Sequence, residues 1–438
     1  MVWRYVRWFY SVAFTCLLPW VFFRLWVRSL RLPAYRRRWL ERLGQIPLPP
    51  IENVLWVHAV SVGETVAAIP LIHRIRAQYP QTPILMTTTT PTGSERVQAA
   101  FKDMLGKQIY HCYLPYDLPW ALRAFFKRVK PKLLVLMETE LWPNLLHACY
   151  QKQLPVLIAN ARLSPISARR YGWLGRLMKA MLRPVCAVAA QSAIDAKRFN
   201  HLGVDQKKIW ETGNIKFDLH LPSYLQEAGL ELRQELGKSR IVWIAASTHE
   251  GEETIMLNVY QALKERFKDL LLFLVPRHPD RFNKVASLCT ERGFNIIRRS
   301  QKQSVGKEVD IFLGDSMGEM PLFYAASDIA FVGGSFVPVG GHNLLEPAAL
   351  GLPVLTGPQL FNFVAISEML VAAKGATIVQ DEDALKANLI QLFENHDMRQ
   401  MQGQKAKVVV EENRGALDRL LKLIDDFWQK QSANVQAT

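Results

Sequence analysis

From Asn53 onward the chain alternates short apolar, often β-branched runs with longer amphipathic stretches. NVLWVHAV (53–60), PILMTTT (83–89), QIYHCYL (108–114), KLLVLME (132–138), PVLIAN (155–160) and CAVAAQ (186–191) predict strands, and stretches such as 66–78 and 94–101 predict the helices between them. Apolar runs without polar alternation are buried on both faces, which means a parallel sheet covered by helices. A second series runs through RIVWIAAS (240–247), LLLFLVP (270–276), DIFLG (310–314), IAFVGG (329–334), PVLTG (353–357) and ATIVQ (376–380). Between the two series, residues 217–239 are polar, carry Pro222 and two glycines, and lack a strand signal, so they read as a linker. The expected architecture is α/β, with two doubly wound Rossmann-like domains (45–216 and 240–400) facing a cleft. The carboxyl ends of both sheets, where open α/β sheets bind ligands, would line it. Residues 401–438 are expected to be helical and able to pack back on the N-terminal domain.

Residues 1–44 follow neither pattern. An uncharged stretch, 8–23, is rich in Trp, Phe, Leu and Val, holds Pro19, and has Trp3, Tyr5 and Trp26 beside it. Its 16 residues fall short of the ~20 that span a bilayer, and no small-residue cleavage site follows to mark a removed signal. Aromatic and Arg flanks suit a membrane interface, and the cluster Arg31, Arg36, Arg37, Arg38 and Arg42 suits anionic headgroups on the cytoplasmic side. The expectation is an N-terminal anchor in the inner membrane that barely spans or lies in the inner leaflet, with the other domains on the cytoplasmic side. A buried first helix is the competing reading, but a core helix is seldom bracketed by so many arginines.

Composition sharpens this picture. The 438 residues are 49% hydrophobic and 21% charged, which excludes a disordered chain. Lys and Arg number 54 against 39 Asp and Glu, a net +15 that favours an anionic partner: membrane surface, phosphorylated substrate or nucleic acid. Nine arginines and one acid in 1–44 account for +8 of it, and the +7 left for the other 394 residues is modest for nucleic-acid binding. Five scattered cysteines without a CxxC pair imply a reducing compartment and no metal framework. HExxH, GxxxxGK and GxGxxG are absent.

The chemistry-bearing residues cluster after strands. Glu64 follows the first strand at a helix N-terminus, where the helix dipole favours its ionised form. It reads equally as a general base or as a first-turn cap. Glu138 and Glu140 follow the fourth strand and, two apart, would face opposite ways if the chain stayed extended; a salt-bridged strand end is the plainer alternative. Lys216 closes the first domain and could offset a leaving phosphate, or simply be solvated. In the second series, Ser247–His249, Arg277–His278, Gly314–Glu319 and the loop FVGGSFVPVGGHNLLEPAALG occupy successive strand ends. Gly340 and Gly341 ahead of a helix near Asn343 allow backbone N–H groups close to a phosphate, or serve only tight turns. Asn343 and Glu346 share one helical turn and could address a ribose or base. His278 and His342 are isolated in sequence and give no case for a metal.

Taken together, HAVSVGE, TTTTPTG, METELWPN, NARLSPIS, GNIKFD, AASTHEGEE, VPRHPDRF, GDSMGEM and GGHNLLEPAALG, in this order, resemble the bacterial 3-deoxy-D-manno-octulosonic acid (Kdo) transferase family of lipid A biosynthesis. The resemblance covers most of the chain after residue 50. It implies a glycosyltransferase of the B-type fold, CMP-Kdo as donor, lipid IVA as acceptor, attachment to inner-membrane lipids on the cytoplasmic face, and neither cofactor nor metal. It also implies Glu64 as general base, Glu138 and Lys216 as stabilisers of the transition state, and CMP contacts at Pro276, Arg277, Met317, Gly318, Glu319, Asn343, Leu344, Leu345 and Glu346. The pattern departs at Ile166, where the family carries Arg before the last Ser, so no basic acceptor contact is implied there. Another two-domain nucleotide-sugar enzyme, either a transferase of a different sugar or a 2-epimerase, is the nearest alternative; a basic nucleic-acid-binding protein is remote.

Overall fold

The computed structural model describes residues 2–436. Met1 and residues 437–438, the tips of the expected anchor and C-terminal segments, lie outside the described residues, as do the side chains of Val2, Arg31 and 432–436. The chain forms two compact units, one comprising residues up to Asp218 together with those from Gly415, the other Leu219–Arg414.

Each unit is built on a parallel sheet. The first contains β1 (Ile51–His58), β2 (Ile84–Thr88), β3 (Ile109–Tyr113), β4 (Val129–Met137), β5 (Val156–Ala161), β6 (Val185–Ala190) and β7 (Ile209–Glu211), in the order β3-β2-β1-β4-β5-β6-β7. The second contains β8 (Ile241–Thr248), β9 (Leu270–Pro276), β10 (Ile296–Arg298), β11 (Ile311–Leu313), β12 (Ile329–Val332), β13 (Val354–Thr356) and β14 (Ala376–Ile378), in the order β10-β11-β9-β8-β12-β13-β14. Helices cover both faces, so β1, β4, β8 and β9 bury their centres completely, as their unbroken apolar runs require. The edge strands β7 and β10 have no counterpart in the sequence reading; of their residues only Ile209 is buried, so no apolar run marks them.

Strand order reverses between β1 and β4 in the first sheet and between β8 and β12 in the second. Loops that leave these neighbouring strands in opposite directions open a crevice at the carboxyl edge. The topology thus names two places to look for chemistry.

The stretch expected as a linker is different. Residues from 219 onward belong to the second unit, and the helix Leu225–Leu236 buries Leu225, Leu232 and Leu236 while Arg233 pairs with Asp328 at 2.9 Å. At the other end, the helix His396–Glu412 stays in the second unit, and only the chain from Gly415 returns to the first. There the helix Ala416–Gln436 lays Leu420, Ile424 and Trp428 on the sheet. Asp218 fixes its start by accepting from the Gly415 and Leu417 amides, both at 2.6 Å.

The N-terminal helix, Val2–Arg31, includes a stretch, Trp3–Leu30, long and apolar enough to cross a membrane. It is no core helix: Leu25 and Ser29 are buried, whereas Tyr5, Trp8, Phe9, Leu17, Trp20 and Phe23 are exposed. One edge of it nevertheless rests on the first unit. Asn144 Nδ2 donates to Ser11 Oγ at 2.9 Å, and the Phe14 and Phe22 rings meet Tyr116 edge-on at 5.8 and 6.0 Å.

Candidate active site

At the first reversal, β1 ends at His58 and the chain turns at Ser61 into the helix Val62–Gln78. Ser61 Oγ accepts from the Glu64 amide at 3.2 Å. In return the Glu64 carboxylate accepts from Ser61 Oγ (2.6 Å), the Val60 amide (2.8 Å) and the Ser61 amide (3.2 Å). This is a complete capping box. Cap and candidate base are therefore one group: the helix start fixes where the carboxylate points. Burial pushes Glu64 above the usual carboxylate range, against the pull of Ser61 and the Val60 amide, and the charge of Glu138 adds to the rise. The dipole expectation of an easily ionised acid is thus overturned by desolvation.

Across the reversal, β4 ends at Met137 and Glu138 adopts φ 56°, a left-handed conformation rare for a side chain with a Cβ. That turn ends the strand alternation, so the extended geometry that would send Glu138 and Glu140 to opposite faces does not hold here. Burial raises Glu140 to about 7, helped by the charges of Glu64 and Glu138, while Trp142 Nε1 donates to its Oε2 at 2.9 Å. Lys216 Nζ lies 3.2 Å from Glu138 Oε1, with both side chains only a quarter exposed. The lysine sits in the short turn Ile215–Phe217, whose Ile215 amide donates to Asn160 Oδ1 at 3.1 Å. Asn160, fully buried and also left-handed at φ 51°, escaped the sequence reading; nothing there but an Asn ending an apolar run marked it. Three carboxylates in one another's fields with one ammonium can hold a base whose proton affinity is raised toward neutrality, which suits proton abstraction.

At the second reversal the organising residue is Glu252, in sequence only the first residue of a helix (Glu252–Lys264). Fully buried, its carboxylate accepts from the amides of His249 (2.9 Å), Gly334 (2.7 Å), Ser335 (2.9 Å) and Phe336 (2.9 Å), tying the loop after β8 to the loop after β12. His249 and His342, remote in sequence, face each other with Nε2 atoms 2.8 Å apart, and the His278 ring stands edge-on to His249 at 5.2 Å. Burial, then the nearby Arg277 charge, drives His342 down to about 3, and burial lowers His249, so both imidazoles are neutral near pH 7. Among the described residues no cluster of three or more His, Cys, Asp or Glu is placed to hold a metal ion.

Arg277 follows the buried Pro276 at the end of β9, its amide donating to Thr248 O at 2.9 Å and its side chain exposed. Its charge reaches Glu346, which burial raises and which accepts from Asn343 Nδ2 at 3.0 Å. Leu344 and Leu345 bury their side chains, so only their backbone can meet a ligand. Gly340 and Gly341 have φ of 100° and 77°, and a Cβ on them would strike Phe361 and Leu360 respectively, so these glycines serve a tight turn. Met317, Gly318 and Glu319 occupy the same sheet edge after β11, held by their own network. Burial opposes its ionisation, yet Arg299, donating at 2.9 Å, and Ser316 hold Glu319 below its ordinary range. The structure therefore joins Arg277, Asn343 and Glu346 to a histidine cluster unseen in sequence, and keeps the 317–319 loop as a separately braced neighbour.

Residues 37–219 match the family described as 3-deoxy-D-manno-octulosonic-acid transferase (kdotransferase), and residues 240–409 that of glycosyl transferases group 1. The 3-deoxy-D-manno-octulosonic acid transferase of Haemophilus influenzae is 44% identical over 97% of this chain and 99% of its own length. That of Bordetella pertussis is 35% identical over 95% and 98%. Among solved structures, UDP-GlcNAc 2-epimerase from Neisseria meningitidis bound to UDP-GlcNAc is similar with a TM-score of 0.56 over 86% of this chain and 99% of that one. At 15% identity the likeness is one of fold alone.

Proposed function

The chain belongs to the 3-deoxy-D-manno-octulosonic acid (Kdo) transferase family, glycosyltransferases of the B-type fold, and on that premise we propose that it moves Kdo from CMP-Kdo to lipid IVA with inversion, Glu64 serving as base. One observation carries the reading: a buried carboxylate of raised proton affinity, fixed by three donors, stands beside the Glu138–Lys216 pair at a topological reversal. In the reaction an acceptor hydroxyl attacks the anomeric carbon of Kdo while Glu64 takes its proton. The bond from that carbon to the CMP phosphate oxygen breaks, and CMP leaves with the electron pair. One base and one displacement give inversion; retention would need a second nucleophile.

CMP departs as a phosphate monoester, and fixed cations suit it. Arg277 at the end of β9 and Lys216 are assigned that role, while Pro276, Met317, Gly318, Glu319 and the segment Asn343–Glu346 are assigned the rest of the nucleotide. For Leu344 and Leu345 the contact is through backbone. Glu138 holds Lys216 and raises Glu64, so it serves the base as well as the cation.

The N-terminal helix is assigned to the inner membrane with both units on the cytoplasmic side. Its exposed aromatic stripe and its flanking arginines support this. A second surface, apolar and basic together, supports it too: the helix Pro165–Gly172 buries no residue, and Ile166, Arg169 and Arg170 in it and Trp173 and Leu174 after it are exposed. Ile166 in place of an arginine makes that surface more lipid-like. A donor screen tests the reading: label should pass to lipid IVA from CMP-Kdo and not from UDP-sugars, and transfer only from a UDP-sugar would overturn it.

A further inference from the structure

Where the N-terminal helix rests on the first unit there is a cavity of about 390 Å³, within the ~300–1,000 Å³ range of ligand sites. Its walls include Tyr10 and Phe14 of that helix and Arg42, Thr89, Tyr116 and Trp142 of the unit. Most of the lining is aromatic or aliphatic. Arg42, Thr89 and Asp117 are the exceptions, and Arg42, the one cation among them, is unusual. It is 4% exposed and its Nη2 donates to Thr89 O at 2.9 Å, while Tyr113 lies 4.4 Å from its guanidinium carbon. Its Nε–H is buried with no hydrogen-bond partner, and no ion pair engages it among the described residues. The adjacent Glu41 is taken by Arg38 at 2.6 Å and by the Tyr113 amide at 2.8 Å. Asp117, also in the lining, spends its carboxylate on the amides of Asn144 (2.9 Å) and Leu145 (2.7 Å). A buried donor without a partner is costly, and the guanidinium it belongs to is the one cation in the cavity's lining.

Two walls of this cavity are bonded to the candidate base's surroundings. Thr89 Oγ1 donates to Val60 O at 3.1 Å, and the Val60 amide donates to Glu64 Oε2 at 2.8 Å; Trp142 Nε1 donates to Glu140 at 2.9 Å. The third wall is the helix whose other face is an exposed apolar stripe including Phe9, Val12 and Leu17. The cavity therefore connects the surface suited to lipid with the turn that holds Glu64. We infer that it takes one acyl chain of the lipid acceptor, with the Arg42 guanidinium, the one cation in the lining, beside the oxygen at the head of that chain. This rests on the acceptor reading given above. It assigns to the N-terminal helix a share in substrate binding as well as anchoring, because Tyr10 and Phe14 close the cavity.

The test uses the full chain in detergent micelles with lipid IVA bearing a photoactivatable diazirine in one acyl chain. Labelling should fall on segments 10–14, 114–116 or 141–143 and be blocked by excess unlabelled lipid IVA but not by phosphatidylethanolamine. Labelling elsewhere overturns the inference, and so does equal blocking by phosphatidylethanolamine, which would make the cavity a site for bilayer lipid. In parallel, Phe14→Ala should lower the preference for lipid IVA over its deacylated sugar, measured as a ratio of kcat/KM values, by about tenfold; an unchanged ratio counts against the inference. If the unaltered chain fails to transfer Kdo to lipid IVA, the acceptor reading fails. Intact transfer without labelling here removes this inference alone.

Discussion

Replacing Glu64 by Gln separates its two jobs, because the amide keeps the shape of the carboxylate and loses its basicity. The carboxylate accepts three hydrogen bonds, from Ser61 Oγ, the Val60 amide and the Ser61 amide, at 2.6, 2.8 and 3.2 Å. A glutamine oxygen can keep two of them, and its NH2 then opposes one donor. Losing one hydrogen bond of this kind costs about 1–2 kcal/mol, which lowers the melting temperature by a few degrees at about 2–4 °C per kcal/mol in a unit of this size. Losing a general base costs about 10²–10⁴ in rate, or roughly 2.7–5.5 kcal/mol of transition-state energy. The catalytic loss is therefore predicted to exceed the structural one clearly. The assay is Kdo transfer at saturating CMP-Kdo and lipid IVA, with CMP affinity by calorimetry and a thermal melt on the same preparation. CMP affinity should stay within about twofold, since every residue assigned to CMP except Lys216 belongs to the second unit and Glu64 to the first. Turnover within tenfold of the unaltered protein would refute the assignment and make Glu140, raised by burial to about 7, the carboxylate to examine next.

Four further outcomes are expected. Because a base must be deprotonated, activity should fall as pH drops through the raised pKa of Glu64; Glu138→Gln removes a like charge that contributes to the rise, so the acidic limb of kcat/KM should move to lower pH, and an upward move would contradict the coupling. Glu252→Ala leaves the amides of His249, Gly334, Ser335 and Phe336 without their acceptor, and at about 1–3 kcal/mol per buried donor the second unit should lose more than ~3 kcal/mol in urea unfolding; a loss under ~1 kcal/mol would contradict the clamp. Protein stripped with EDTA should still transfer Kdo, since the proposed reaction assigns the leaving monoester to Arg277 and Lys216; loss of transfer restored by a divalent ion would show that the cations do not suffice. Deleting residues 1–28 should leave CMP affinity intact while reducing sedimentation with phospholipid vesicles and transfer to lipid embedded in them, and unchanged sedimentation would remove the anchor assignment.

The sheets were legible in sequence for a definite reason. Parallel strands covered on both faces must be apolar through their buried stretches, and residues 54–57 of β1, 133–137 of β4, 242–246 of β8 and 270–276 of β9 are. The edges β7 and β10, which bury only Ile209 between them, left no signal, whereas the opposite edges β3 and β14 did. The helix Leu225–Leu236 was hidden because three leucines on one narrow stripe suffice to dock it, and the residues between them are as polar as a linker. The site divides in the same way. Glu64, Arg277 and Asn343 could be placed because each stands within a turn of a strand end. What could not be read was every relation between loops: the four amides on Glu252, the meeting of His249, His278 and His342, the bond from Asn160 to the Lys216 turn. The left-handed turn at Glu138 was equally hidden, since a Glu carries no signature of positive φ, and with it went the expectation that Glu138 and Glu140 face opposite ways. Partners some twenty to ninety residues apart are fixed by sheet order, and sheet order is not written in any one segment.

If Kdo passes from CMP-Kdo to lipid IVA, the mass of the lipid records it. Purified full-length protein incubated with both substrates should yield lipid IVA heavier by whole Kdo residues, with one CMP released for each. Release of CMP and free Kdo with the lipid mass unchanged would contradict it.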